Sequence, residues 1–179
     1  MWLDLINEEF IEAFLDCFDI LTVEKELDHS VQIICNFNTN KNVSKMIMEA
    51  FDTHKYSRKL VDYLLFLLNK VEDKDIIFDI CNLIADLLDH TKSSLFYKND
   101  LDSFMIIAIK TLESTYSNEL RYHFLNLLNK ICSYKDYFES KYKLDILVEI
   151  LEDYQQNDHV GENNQTLSTE ILEKIEKNW

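Results

Sequence analysis

Proline is absent from this chain of 179 residues, and glycine occurs once, at Gly161. A β-sandwich or barrel needs both at its turns, and a Rossmann or P-loop site needs several glycines so that backbone can approach phosphate. These architectures are excluded, and an all-helical protein is left. Arginine is nearly absent too: Arg58 and Arg121 stand against 33 acidic side chains, and the net charge is −15. A nucleic-acid binder needs clustered cations, and an anionic membrane surface would repel this chain, so neither is expected as a partner. Long apolar runs are missing as well. Tyr63–Leu68 and Phe104–Ile109 are about six residues each, where a membrane span needs roughly 20. Met1-Trp2-Leu3-Asp4 is flanked by acid rather than base, so no signal peptide is expected, and the chain reads as soluble and intracellular. There is no C-x-x-C. Cys17, Cys35, Cys81 and Cys132 lie far apart among apolar neighbours and read as small buried hydrophobes.

What the chain does contain is apolar residues, 47% of the total, at helical spacing throughout. Ile6, Phe10, Phe14, Cys17, Phe18 and Leu21 form a first stripe, and Leu27, Val31, Ile34 and Cys35 a second. Asn38–Asn42 reads as a loop, followed by a short helix with Met46, Ile47, Ala50 and Phe51. Ser57 is the expected N-cap of a helix ending near Val71. The next helix turns Ile76, Ile77, Ile80, Ile84, Leu87 and Leu88 inward, and a connection from His90 to Tyr97 is expected to hold one helical turn. Asn99 then caps a helix with Asp100 and Asp102 in its first turn, and this helix buries Leu101, Phe104, Met105, Ala108 and Leu112. Ser117 caps a helix with Leu120, Phe124, Leu127, Leu128 and Ile131, and a further helix from about Lys141 to Tyr154 carries Leu144, Leu147, Val148 and Leu151.

The helices Ser57–Val71 and Asn99–Thr115 are apolar on every side and are expected to form a fully buried spine, with Leu65, Leu68, Met105, Ile107 and Leu128 inside. Whole buried helices favour an armadillo/HEAT-like right-handed helical stack, an α-α superhelix whose units repeat every 40–47 residues or so. The expected division is an armadillo-like domain over residues 1–154, a flexible linker over 155–166 that contains the lone glycine, and a short amphipathic helix over 167–179. That helix, with Leu167, Ile171, Leu172 and Ile175, could dock back or stay free.

Catalytic chemistry finds little support. His29, His54, His90, His123 and His159 show no metal-ligand spacing, and the paired carboxylates (Glu8/Glu9, Asp73/Asp75, Asp100/Asp102) sit near helix starts and turns, where dipoles and solvent explain them. No enzyme, metal or cofactor is expected.

Three blocks carry more information. Leu64–Asp73, Leu95-Phe96-Tyr97-Lys98-Asn99-Asp100-Leu101 and Glu119–Leu128 follow one another in the order and spacing of the patterns V/LFLLNR-x-ED, SLFYTNDL and LRHTYLRVL. Tyr142-Lys143-Leu144-Asp145-Ile146 is similar to a following YKRDEI segment. The chain thereby resembles the leucine-rich, armadillo-like domain of the WISH/DIP/Ldb proteins, also described as the Nck-interacting protein with SH3 domain, over about Val31 to Leu151. Family members usually have a longer N-terminal part, so either a reduced member or one that binds its partner without activating it is expected.

The resemblance implies a non-enzymatic, cytoplasmic protein of actin patches or the cortex. It implies binding to the actin-related-protein two/three (Arp2/3) complex and its activation without a preformed filament, with actin itself touched indirectly. It also implies that a groove of the stack grips a helical subunit. Partner-contact candidates are Tyr97, Asn99, Asp100, Arg121 and Asn126, the last standing where the family pattern has a second arginine. For Arg121 an internal brace to Asp100 or Asp102 competes with a partner contact, and for Tyr97, Asn99 and Asp100 a structural role at the helix start competes likewise. The alternative function is a generic armadillo/HEAT adaptor for another helix or peptide, in either case as a monomer.

Overall fold

The computed structural model describes residues 6–90, 95–134, 137 and 141–178. The expected helical turn between His90 and Tyr97 falls largely outside them, as do the first five residues and Trp179. Every regular element among the described residues is helical: α1 (Glu8–Ile20), α2 (Glu24–Asn38), α3 (Lys41–Thr53), α4 (Ser57–Lys70), α5 (Lys74–His90), α6 (Lys98–Ser114), α7 (Asn118–Ile131), α8 (Leu144–Gln156), a 3-10 turn (Asp158–Val160) and α9 (Glu162–Asn178). The fold is all-α, with helices packed on helices, as the absence of Pro and the single Gly led one to expect. The chain divides into two compact units, residues 1–96 and 97–179.

In the first unit α2 packs on α3 and α5, and α1 and α5 both pack on α3. Asn7 starts α1 by accepting a hydrogen bond from Phe10 N (2.9 Å), and Asn40 starts α3 by accepting from Asn42 N and Val43 N. The expected loop at Asn38–Asn42 is shorter than predicted, because α2 runs through Asn38. Asn38 Nδ2 donates to Asp86 of α5 (2.7 Å), and its Oδ1 accepts from Ser44 of α3 (2.7 Å), so this asparagine ties three helices together.

The core centres on α5, which buries Ile77, Ile80, Cys81, Leu83, Ile84, Ala85, Leu87 and Leu88. Each such aliphatic side chain contributes about 1.5–3 kcal/mol on burial. Helix α4 is not apolar-packed all round, contrary to expectation. Leu60, Val61, Leu64, Leu67 and Leu68 are buried, but Leu65 is half-buried and Phe66 is 44% exposed. Six consecutive apolar residues cover more than one helix turn, so one of them faces water when neighbours lie on one side only. Phe66 is sheltered by Lys70, which lies over its ring and also pairs with Glu24. The stripe of α1 is corrected as well. Ile11, Leu15 and Phe18 are buried, while Phe10 and Cys17 are exposed and Phe14 half-buried. Phe10/Ile11 and Phe14/Leu15 are adjacent apolar pairs, so the helix holds two overlapping stripes. The aliphatic one turned inward, and Phe10 packs edge-on against Phe37 at the rim (6.0 Å).

In the second unit α6 packs on α7 and α8, and α9 packs on α7 and α8. The expected faces of α6 and α7 are buried in full, Met105 and Leu128 among them. Ile106 is 40% exposed and Ile107 half-buried, so α6 is one-sided like α4. Helix α8 begins at Leu144, later than expected, because Lys141 and Lys143 both hold left-handed backbone (φ 48° and 53°) that stops a helix from starting earlier. Residues expected to form a flexible linker are structured: α8 reaches Gln156, the 3-10 turn follows, and α9 starts at Glu162. Asn164 is buried in this polar stretch and donates to Asn118 O and Val160 O.

Candidate functional site

Four of the five residues singled out from sequence sit at or near helix starts of the second unit. Tyr97 is the N-cap residue of α6 and is exposed. Asn99 is exposed within the first turn and does not cap. The helix begins one residue before it, at Lys98, which corrects the expectation for Asn99. The capping carboxylate belongs to Asp100, which is buried and whose Oδ2 accepts from Tyr97 N at 2.7 Å. A carboxylate there satisfies an orphan N–H and meets the positive end of the helix dipole. Ser57 is likewise not the cap of α4. Tyr56 holds that position, and the Ser57 hydroxyl is buried without a hydrogen-bond partner among the described residues. Ser117 caps α7 as expected, accepting from Leu120 N at 3.3 Å.

Arg121 makes internal contacts, but to neither Asp100 nor Asp102. Its Nη2 donates to Thr115 O (2.7 Å), its Nη1 to Asn118 Oδ1 (2.7 Å) and its Nε to Tyr154 Oη (3.2 Å), with the guanidinium 5.3 Å from the Tyr154 ring centre. Tyr154 Oη in turn donates to Leu112 O at 2.8 Å. Leu112 lies in the last turn of α6, where carbonyls lack helical partners. Arg121 is rooted in the first turn of α7, where a cation is disfavoured, but its charged head reaches the carbonyl end of α6, where a cation is favoured. Three donors in a fixed plane serve three acceptors, which a lysine cannot do. Burial pushes the Tyr154 phenol up, against the pull of Arg121.

The same corner continues through Asn118. Its Nδ2 donates to His159 O (3.1 Å), and its main-chain O accepts from Asn164 Nδ2 (2.9 Å). Gly161 holds φ 85°, and a Cβ there would lie 3.3 Å from Asn118 Nδ2. The lone glycine is therefore placed by both conformation and space. Thr115, Asn118, Tyr154 and Asn164 were not singled out from sequence. Tyr154 pairs with Arg121 across 33 residues, a separation that no local pattern reveals. Asn118, three residues before Arg121 on one helix face, was the one local signal. Asn126, on α7, is half-buried and takes no part in this corner.

Beside the brace lies a groove of about 360 Å³. Its rim carries Glu113, Glu149 and Asp153, and Ile150, Tyr154 and Arg121 line it. Among the described residues, no group of three or more His, Cys, Asp or Glu side chains could hold a metal, and no helix is long and apolar enough to cross a membrane. Burial pushes the Cys35 and Cys132 thiols up to about 12, with Asp79 adding to the shift at Cys35 and Lys174 opposing it at Cys132.

Fold and site define a helical domain whose polar groups brace helix ends beside an acid-rimmed groove. The chain belongs to the SPIN90/Ldb17 leucine-rich domain family, which it matches over residues 4–147. Membership implies a protein-interacting regulator of the actin system. No curated protein and no solved structure gives a match.

Proposed function

We propose that this protein binds the Arp2/3 complex and activates it without a preformed filament, so that linear actin filaments are seeded at patches or the cytoplasmic cortex. The family match over residues 4–147 carries the reading. The groove supports it. Three carboxylates on the rim of a partly apolar trough suit an amphipathic helix with basic residues, and the net charge of −15 steers such a partner inward. The protein works by binding rather than catalysis. Three of its four thiols are buried, and their raised pKa keeps them protonated and poorly nucleophilic.

Pyrene-actin assembly with purified Arp2/3 complex and no preformed filaments tests the proposal. The expected result is a shortened lag that depends on both the protein and the complex. Capture of the complex without a change in lag would make the protein a binding adaptor, and absence of both would refute the reading.

A further inference from the structure

Helix α9 lies wholly beyond residue 147, where the family match ends, and it packs on α7 and α8. Its apolar seat is one stripe, with Leu167, Ile171 and Ile175 buried at four-residue steps. Polar contacts set its direction. Near its start, Asn164 reaches Asn118 O at the first residue of α7. Near its end, Lys174 Nζ donates to Asn129 O (3.1 Å) and Ser133 Oγ (3.0 Å) at the far end of α7. Helix α9 therefore runs parallel to α7, and its lysine meets the carbonyl end of that helix, where a cation is favoured.

The seat also holds polar atoms that gain nothing there. Ser168 is fully buried and Asn164 nearly so. The Ser168 hydroxyl, Asn164 Oδ1 and Asn129 Oδ1 have no hydrogen-bond partner among the described residues. Asn164 spends its amide hydrogens on Asn118 O and Val160 O, which leaves its oxygen bare. Such atoms lose water on docking and recover it on release, so the contact is weaker than its apolar area alone would make it. Directly before α9 stands Gly161, the residue with the widest backbone freedom in the chain.

We propose that the face made by α7 and α8 is a helix-receiving surface, which the chain's own α9 occupies as a displaceable strap. The partner it fits is an amphipathic helix with α9's pattern: apolar residues at four-residue steps, and a lysine placed to meet the end of α7. The proposal does not depend on which complex the protein serves.

Hydrogen exchange on the full chain, read by mass spectrometry, tests it together with a fluorescent peptide covering residues 158–177. In the unchanged protein, amides of α9 should exchange about tenfold or more faster than those of α7, because release is a local opening. Ser168→Ala removes a buried hydroxyl and should slow exchange in α9 several-fold while leaving α7 unchanged. Ile171→Asp should free the seat, so that the peptide binds this variant at least about tenfold more tightly than the unchanged chain, with α6–α8 still protected. Equal exchange of α9 and α7 in both the unchanged protein and Ser168→Ala would overturn the proposal. So would failure of the peptide to bind Ile171→Asp, or loss of α6–α8 protection in that variant, since either would make α9 an integral part of the unit.

Discussion

Replacing Arg121 by Lys keeps the charge and removes the planar fork. In the structure the guanidinium serves Thr115 O, Asn118 Oδ1 and Tyr154 Oη, and lies against the Tyr154 ring. A lysine ammonium at the same root can reach one of these acceptors, so two hydrogen bonds and the ring contact are lost. A hydrogen bond from a charged donor contributes about 1.5–3 kcal/mol when buried and less when, as here, the side chain is half-exposed. With about 0.5 kcal/mol for the ring contact, the expected loss is about 2–3 kcal/mol. For a chain of this length that lowers the melting temperature by about 5–10 °C.

Circular dichroism melts of the purified protein give the number, and a double-mutant cycle with Tyr154→Phe assigns it. The single changes should sum to more than the pair, by about 1 kcal/mol, because both act on one contact. The pyrene-actin assay separates brace from partner contact. A brace predicts that nucleation follows stability down and recovers when the assay is cooled. A direct contact predicts normal melting with weakened nucleation. If Arg121→Lys alters neither, the three-bond geometry has no energetic consequence and the reasoning is refuted.

Asp100→Ala should cost about 1–2 kcal/mol in urea unfolding, whereas Asn99→Ala, exposed and not capping, should fall within about 0.5 kcal/mol of the unchanged protein. Leu68→Ala should cost about 2–5 kcal/mol, and an unmoved melting temperature would show that the α4 face does not pack as described. Ellman's reagent on the native protein should label Cys17 quickly and Cys35, Cys81 and Cys132 only on unfolding, since one thiol is exposed and three are buried. Alkaline pH should destabilise the fold. From an ordinary 9.0, Cys35 and Cys132 are pushed up to about 12, so between those values the unfolded chain has released protons that the folded chain retains. Stability then falls with rising pH, by at most about 1.4 kcal/mol per pH unit for each thiol. Urea midpoints at pH 8 and pH 10 check the sign, and Cys35→Ala should flatten the slope.

Much of the fold was legible because the α-helical period is short and local. The apolar residues assigned to the inward faces of α2, α6 and α7 are all buried, though Ile109 and Leu125 are buried beside them without having been placed there, and Ser117 was found as a cap because its partner lies three residues away. Where reading failed, two arrangements were locally equivalent. Phe10 and Ile11 compete for one core position, and the choice depends on α3, which the local pattern does not contain. Phe66 and Ile106 sit in runs so apolar that no period is visible, and the exposed member is chosen by the neighbouring helices. Asn99 and Asp100 are adjacent and both competent to cap. Starting the helix at Lys98 puts Asp100 in the position from which its carboxylate reaches back to Tyr97 N.

Arg121 shows both how far such reading reaches and where it stops. Its rarity in so acidic a chain, and the cost of a cation in a helix's first turn, required a compensating partner. Acidic side chains outnumber every other candidate, so a carboxylate was the natural expectation. The structure instead compensates the charge with the carbonyl end of α6, a partner that carries no side-chain signature and exists only once two helices meet end to side. The same logic accounts for the stretch after Gln155. Asn157 and Asn164 read as solvated linker because their side chains are polar, and Gly161 because it is the lone glycine in a stretch almost without apolar residues. In the folded chain Asn157 caps the 3-10 turn and Asn164 supplies hydrogen bonds to main-chain oxygens. Polar composition marks a linker only where backbone groups are left to water. Where side-chain amides take over that role, the same composition builds a buried corner.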